Sequence, residues 1–196
     1  MPRTPAAVTR EQILTVADEL FYQRGVRAVG MDEVVRETGL GKMTIYRQFP
    51  TKDELVAAFL ARRSARLRGE VDAAIARART PRAKILAIVR WIVGGLHQED
   101  FRGCPFQNTS SEFPEPDHPA RPVIAAHEDF FRARWRELAA AGGARQPDRM
   151  AHELVLLMNG AYATGHVLGV QDASRHVLPM ATRVVDAYLP PARAAA

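Results

Sequence analysis

Apolar residues recur at helical spacing along almost the whole chain, and this pattern predicts an all-α protein. The first stripe runs at three- and four-residue intervals through Ile13, Leu14, Ala17, Leu20 and Phe21. Thr9 and Gln12 have the T-x-x-Q spacing of a capping box, which predicts that the first helix begins at Thr9. Gly25 supplies the left-handed residue that ends it.

Two short helices follow, in the segments "MDEVVRET" and "KMTIYRQF", and the segment "GLG" separates them. In the second helix Ile45 and Phe49 lie four residues apart on one side, so the remaining surface is basic and polar. Two short helices joined by a glycine-containing turn are typical of a helix-turn-helix, whose second helix enters the major groove of DNA.

The second short helix is bounded sharply at its C-terminal side. Pro50 disfavours helical geometry at the residue before it, and Thr51 with Glu54 forms another capping box that starts the next helix. That helix is expected to run as far as Pro81, and its apolar face should contain Leu55, Ala58, Phe59, the stem of Arg62 and Ala65. We expect a functional boundary near residue 52, with a DNA-binding domain at 1–52 and a ligand-binding and dimerisation domain at 53–196.

The remainder of the chain is also predicted to be helical. Residues 85–96 are apolar nearly all round and should lie centrally, and Pro105 suits the first position of a helix that ends near Pro114. The proline-rich segment "PEPDHPARP" is expected to be an irregular loop. Three further helices are predicted in the segment "VIAAHEDFFRARWRELAAAGG" and at about 147–169 and 174–189.

The charge distribution draws attention to the first third of the chain. The formal net charge is +5, and residues 1–68 carry 12 Lys or Arg against 8 Asp or Glu. A local excess of +4 is an electrostatic reason to expect a polyanionic partner, although a solvated basic face fits it equally well. With 47% apolar and 25% charged residues the chain is expected to be globular rather than disordered.

Several other classes of protein find little support in the sequence. The single cysteine, Cys104, excludes an intramolecular disulfide framework, and no pair of histidines has metal-binding spacing, so neither a metal nor a cofactor is expected. The N-terminal segment lacks the apolar core of a secretory signal, and the most apolar run is too short to span a bilayer. We therefore expect a cytoplasmic protein without membrane contact. Phosphate-binding and hydrolase motifs are missing from the sequence, so we do not expect an enzyme.

The stretch "DEVVRETGLGKMTIYRQFPTKDEL", preceded by Phe21 and Gly25 in F-x-x-x-G spacing, resembles the DNA-binding region of the tetracycline-repressor (TetR) family. The resemblance implies a homodimer that binds a palindromic double-stranded DNA operator and responds to a small molecule. By this resemblance Lys42, Thr44, Tyr46 and Lys52 match positions that contact phosphates, and Met43 matches a variable position that faces base edges. Arg47 stands where many members have histidine.

The candidate DNA-binding set also includes Arg10, Gly30 and Met31. Gly30 and Gly41 depart from the family pattern, which usually has Thr and Ser at these helix caps. As the alternative, Tyr46 and Met43 pack locally and the Arg47 side chain is merely solvated.

A ligand pocket in the C-terminal part should be mostly apolar, with a few polar groups that fix orientation. The candidate residues are Trp91, Cys104, Phe106, Asn108, Phe131, Trp135, Met158, Asn159, Tyr162 and His166. The implied effector is a small apolar or amphipathic molecule whose identity the sequence does not give. The aromatic and methionine positions also fit an ordinary core. Cys104, next to a predicted helix N-terminus, is either a reactive sensor thiol or a small buried side chain.

The last two predicted helices have more apolar surface than one core can hide, so we expect them to pair with their symmetry mates in a four-helix contact. The candidate interface residues are Gly160, Gly165, Gly169, Val177, Val184 and Tyr188. Such a dimer would hold two recognition helices about 34–36 Å apart. A helical enzyme and a DNA-packaging protein without a ligand remain as alternatives.

Overall fold

The computed structural model of the chain describes residues 6–190 and contains nine α-helices and no β-strand within that range. The all-α prediction is confirmed. The helices are α1 (Ala6–Arg24), α2 (Met31–Thr38), α3 (Lys42–Gln48), α4 (Lys52–Ala76), α5 (Pro81–Leu96), α6 (Pro105–Glu112), α7 (Ala120–Ala141), α8 (Pro147–Leu168) and α9 (Val170–Tyr188).

The chain forms two compact units by packing. The first unit comprises the residues up to Arg66 together with Pro105–Ala125, and the second comprises Leu67–Cys104 and the residues from Ala126 onward. The helix α4 contributes residues to both units. A functional boundary near residue 52 stays a prediction, because compact packing does not identify which residues bind DNA.

The prediction that α1 begins at Thr9 is wrong. The helix already includes Ala6, and Thr9 is a buried residue inside it. A capping box requires an extended backbone at the cap, so the T-x-x-Q spacing has no capping role here. The Gln12 side chain instead donates a hydrogen bond to the Thr38 carbonyl at the end of α2, at 3.0 Å.

The start of α4 matches the prediction, whereas its buried face differs from it. Thr51 caps the helix, because its hydroxyl accepts a hydrogen bond from the Glu54 amide at 3.1 Å. Ala65, predicted to face inward, is exposed, and Val56 and Leu60 are fully buried. The apolar stripe of α4 is therefore rotated from the predicted one. The helix ends at Ala76, and Thr80 caps α5 by accepting a hydrogen bond from the Ala83 amide.

The second unit has its core among α5, α7, α8 and α9, where apolar side chains such as Ile88, Trp135 and Val185 are fully buried. The last helix begins at Val170, four residues before the predicted start, because Gly169 alone separates it from α8. Gly169 has a φ of +99°, which favours glycine. Across residues 6–190, no helix is both long and apolar enough to cross a membrane.

Ion pairs fasten α1 to α4 within the first unit. The Asp18 side chain is only 12% exposed, and its oxygens lie 3.0 Å from Arg63 Nε and 3.5 Å from Arg62 Nη1. The Arg63 guanidinium also lies 4.2 Å from the ring centroid of Tyr22. A largely buried carboxylate with two cationic partners favours one arrangement of α1 on α4.

Replacing Asp18 with Asn is expected to lower the free energy of unfolding by about 1–3 kcal/mol, because two arginines lose the carboxylate that neutralises them. Chemical denaturation of the full chain measures this change. Glu11→Gln is the matched control, since Glu11 pairs with the same Arg62 but is 58% exposed. This control should lose less than about 1 kcal/mol. Equal destabilisation by the two variants would contradict the assignment.

Candidate nucleic-acid interface

The helices α2 and α3 form a helix-turn-helix. Three residues, Gly39, Leu40 and Gly41, connect the two helices. Gly39 takes the left-handed conformation, with φ of +67°, and its amide donates to the Arg36 carbonyl, so α2 ends in a tight turn. The glycine turn predicted from the sequence is present in the fold.

The two sides of α3 have opposite character. Ile45 is fully buried and Phe49, just after the helix, is 1% exposed. On the other side Lys42 and Arg47 are exposed and Met43 is 82% exposed. Since α3 has only seven residues, its apolar side must hold it on the rest of the unit. Its basic side remains accessible to a partner.

Side chains from α1 bind the C-terminal ends of both short helices. Gln12 contacts the end of α2, as described above, and Arg10 Nη1 donates to the Gln48 carbonyl at the end of α3, at 3.1 Å. The Arg10 guanidinium also lies 4.2 Å from the Phe49 ring centroid. A cation at a helix C-terminus is favourable. Arg10, predicted to contact DNA, is thus engaged with α3 itself, and its contact with DNA stays a prediction.

The N-terminal ends of α2 and α3 have no side-chain cap. Gly30 and Gly41 occupy the cap positions in extended conformations, and neither makes a side-chain capping hydrogen bond. The first amides of α2 are therefore available to an anion. Gly30 is exposed, and Met31 is half-buried at the first position of α2.

The cations of this surface differ in how they are paired. Arg47 makes no hydrogen bond or ion pair with another described residue, whereas Lys42 Nζ lies 2.8 Å from Asp32 Oδ1. Lys42 Nζ also lies 5.8 Å from the ring centroid of Tyr46. Tyr46 and Thr44 are half-buried. Burial lowers the pKa of the half-buried Lys52 ammonium.

Residues 105–125 pack within the first unit, where they contact the loop between α1 and α2 and the start of α4. The Glu112 carboxylate accepts hydrogen bonds from the Val26 amide at 3.1 Å and from the Arg27 amide at 2.6 Å. The buried His118 accepts from the Ala120 amide through Nδ1, and its Nε2 lies 3.5 Å from Asp53 Oδ1. The sequence did not indicate the contacts of Glu112 with Val26 and Arg27 or that of His118 with Asp53, because each joins residues far apart in the chain.

The candidate ligand-binding residues are distributed over both units. Phe106 and Asn108 lie on α6 in the first unit, and the other eight lie in the second. Trp91 stacks on Phe131 at 6.1 Å between ring centroids, and Trp135 is fully buried beside Phe131. The pocket they were predicted to form stays a prediction.

The remaining candidates of the second unit have different surroundings. Tyr162 stacks on Phe101, and Met158 and Cys104 are buried. His166 is exposed, whereas Asn159, which lies seven residues earlier on the same side of α8, is half-buried. Among residues 6–190, no group of three His, Cys, Asp or Glu side chains is placed to hold a metal ion.

Buried polar groups of the second unit include some that the sequence analysis missed. His127 is 4% exposed and lies edge-on to Phe131, and burial together with the charge of Arg68 lowers its pKa to about 4. Its imidazole is therefore neutral at physiological pH. Asn159 donates to Glu128 at 3.2 Å. In the sequence, the four-residue spacing of His127, Phe131 and Trp135 was the signal that could have placed His127 on the same helix face as the two aromatic residues.

Part of the predicted dimer set lies along a groove between α8 and α9, with a volume of about 550 Å³. Gly160, Val177 and Val184 line it. Gly165 is buried, and a Cβ there would lie 3.3 Å from Phe101 of its own chain. Gly169 is exposed, and the Tyr188 hydroxyl donates to Glu153 at 2.5 Å.

Comparison with known proteins gives one match within the N-terminal region and another over nearly the whole chain. A family model described as bacterial regulatory proteins of the tetR family matches residues 13–59. A TetR-family transcriptional regulator from Streptomyces coelicolor is 31% identical, with a TM-score of 0.88 over 93% of this chain and 96% of that one.

Two mycobacterial relatives match over shorter regions. An HTH-type transcriptional regulator from Mycobacterium tuberculosis is 33% identical over 87 residues, which are 44% of this chain and 42% of that protein. FasR, an HTH-type transcriptional activator from Mycolicibacterium smegmatis, is 42% identical over 60 residues, 31% of this chain and 27% of its own. The chain thus spans less than half the length of these two relatives.

The tetR-family match falls on the helices that build the glycine turn and the exposed face of α3, and the 31% identity extends over nearly all of two whole chains. The protein therefore belongs to the TetR family of transcriptional regulators, which bind DNA and are not enzymes.

Proposed function

We propose that the protein is a homodimeric, ligand-responsive regulator, acting as a repressor, that reads a palindromic operator with α3. The observation that carries this proposal is the division of α3 into a buried apolar side and an exposed basic side. Lys42, Thr44, Tyr46 and Lys52 are assigned to phosphates, and Met43 and Arg47 to base edges. Met43 is suited to apolar contact with a thymine methyl group, and Arg47 to a bidentate contact with guanine.

Tyr46→Ala should weaken operator binding while the thermal unfolding midpoint changes little, because Tyr46 is only half-buried. The loss of one phosphate contact should also reduce sequence-independent binding. Fluorescence anisotropy with a labelled operator measures the affinity, and Tyr46→Phe is the matched control that retains the ring. Wild-type operator affinity in Tyr46→Ala would remove Tyr46 from the interface.

The homodimer proposal is supported by the groove between α8 and α9. Two apolar side chains in its lining are unusually accessible, Leu156 at 71% and Met180 at 44%. Apart from its chain neighbours and the backbone of its own helix, no described residue lies within 4 Å of the position that a Cβ of Gly160 would occupy. Large exposed apolar side chains beside a small residue suit the close approach of a second copy of the same two helices.

Leu156→Glu should shift the full-length protein from dimer to monomer, because two carboxylates related by symmetry would be buried at an apolar contact. Light scattering after size-exclusion chromatography measures the mass. Ala73→Glu introduces the same charge at an exposed position of α4 and should leave the dimer intact. A dimer that survives Leu156→Glu at micromolar concentration would place the interface elsewhere.

The effector proposal is supported by buried polar atoms in the second unit. Trp135 Nε1 and Asn159 Oδ1 are buried and have no hydrogen-bond partner among the described residues. The indole N–H can donate a hydrogen bond and the amide oxygen can accept one, and neither group carries a charge. A small apolar or amphipathic molecule with its own donor and acceptor groups fits this chemistry.

We further propose that effector binding shifts α4 and thereby alters the separation of the two recognition helices. Within the first unit, the contacts of Glu112 with the amides of Val26 and Arg27 join α6 to the loop before α2. Such coupling is typically worth about 1–3 kcal/mol. FasR is named an activator, so activation is the alternative to repression. A reporter gene whose promoter contains the selected operator distinguishes repression from activation.

A compound that raises the Tm of the full-length protein in a thermal-shift screen should lower operator affinity about 5- to 150-fold. Anisotropy titrations with and without the compound measure this effect. Asn159→Leu should abolish both the Tm shift and the affinity change while retaining operator binding without the compound. A tightly bound compound that leaves operator affinity unchanged would contradict the coupling. Failure of every apolar and amphipathic compound to shift Tm would favour a ligand-free DNA binder.

A further inference from the structure

The pair formed by Lys42 and Asp32 lies on the surface that faces DNA in the proposed function. Lys42 begins α3, and Asp32 is in the first turn of α2. Their charged atoms are 2.8 Å apart, and the two side chains are 59% and 82% exposed. An ion pair across the turn therefore joins the N-terminal ends of the two helices while remaining open to solvent.

A DNA phosphate offers Lys42 the same kind of partner that Asp32 already supplies, namely an anionic oxygen. The hydrogen bond to Asp32 raises the pKa of the Lys42 ammonium, so the pair contains a charged lysine throughout the physiological range. Exposed pairs of this kind are weak, so a phosphate can displace the carboxylate. The displaced carboxylate then stays close to the negative DNA backbone.

The other cations of the interface provide a contrast. Arg47 has no partner among the described residues, and the acidic residues of α2 other than Asp32 are occupied by arginines. Glu33 pairs with Arg24 and Arg36, and Glu37 pairs with Arg36. Among the acidic residues of α2, Asp32 is thus the one that forms an ion pair with a residue assigned to DNA binding, Lys42.

We propose that Asp32 sets the DNA affinity of this protein by competing with a backbone phosphate for Lys42. The proposal rests on the proposed function, in which Lys42 contacts DNA. The competition acts on the DNA backbone and not on base edges. It therefore weakens binding to every sequence by a similar factor and leaves the preference for the operator unchanged.

The salt dependence of binding gives a quantitative consequence. Each phosphate neutralised by a cation contributes about −0.9 to the slope of log K against log salt concentration. In the wild type the charge of Asp32 offsets that of Lys42, whereas in Asp32→Asn the lysine acts alone. The slope should therefore be steeper by about 0.9 for each bound subunit, and the affinity in about 0.1 M salt should rise about three- to tenfold for each subunit.

The experiment compares wild type, Asp32→Asn, Lys42→Met and the double variant of the full chain on two DNA duplexes, the selected operator and a scrambled sequence. Anisotropy titrations at four salt concentrations give affinity and slope, and thermal melts establish that each variant is folded. Glu37→Gln is the matched control, because it removes the same charge from the same helix at a position paired with Arg36.

The proposal expects Asp32→Asn to bind both duplexes more tightly with a steeper slope, and Glu37→Gln to show a smaller change. It also expects the gain to disappear in the Lys42→Met background. Unchanged or weaker binding by Asp32→Asn would overturn it, as would the same gain without Lys42 or in Glu37→Gln. Wild-type protein that recovers no palindrome would count against the proposed function, whereas normal operator binding with an unchanged slope in Asp32→Asn would count against Asp32 alone.

Discussion

The burial of Ile45 and Phe49 is the interaction on which the rest of the DNA-binding surface depends. A helix of seven residues such as α3 is not stable alone in water, so these side chains and the contacts of α1 must hold it. Arg10 and Gln12 bind the carbonyl ends of α3 and α2, and Asp18 fastens α1 to α4. All of these contacts leave the outer side of α3 free for a partner.

Electrostatics adjusts that free side without determining the fold. The net excess of positive charge in the first third of the chain is modest, and several of its arginines are neutralised by acids of α1 and α2. What matters for DNA is which cations remain available at the surface. Arg47 is available, whereas Lys42 is shared with Asp32. The arrangement favours an affinity that depends on salt and on a small number of contacts.

Local signals in the sequence predicted the helices and the turn, because Gly39, Pro50 and Thr51 act through neighbouring residues. The prediction failed where an alternative long-range partner decided the outcome. Gln12 contacts Thr38 instead of capping its own helix, and the buried face of α4 turned towards Val56 and Leu60. The pairing of Glu112 with the amides of Val26 and Arg27, and of Asp32 with Lys42, depends on tertiary packing that spacing alone does not encode.

The central claim is that two copies of α3 read a palindrome, and the most direct measurement is operator selection from a random double-stranded DNA library at moderate salt. The account predicts recovery of one palindrome whose half-sites are about one helical turn apart, protected by wild-type protein in a footprint. Recovery of unrelated sequences, or of a single half-site without a symmetric partner, would contradict it.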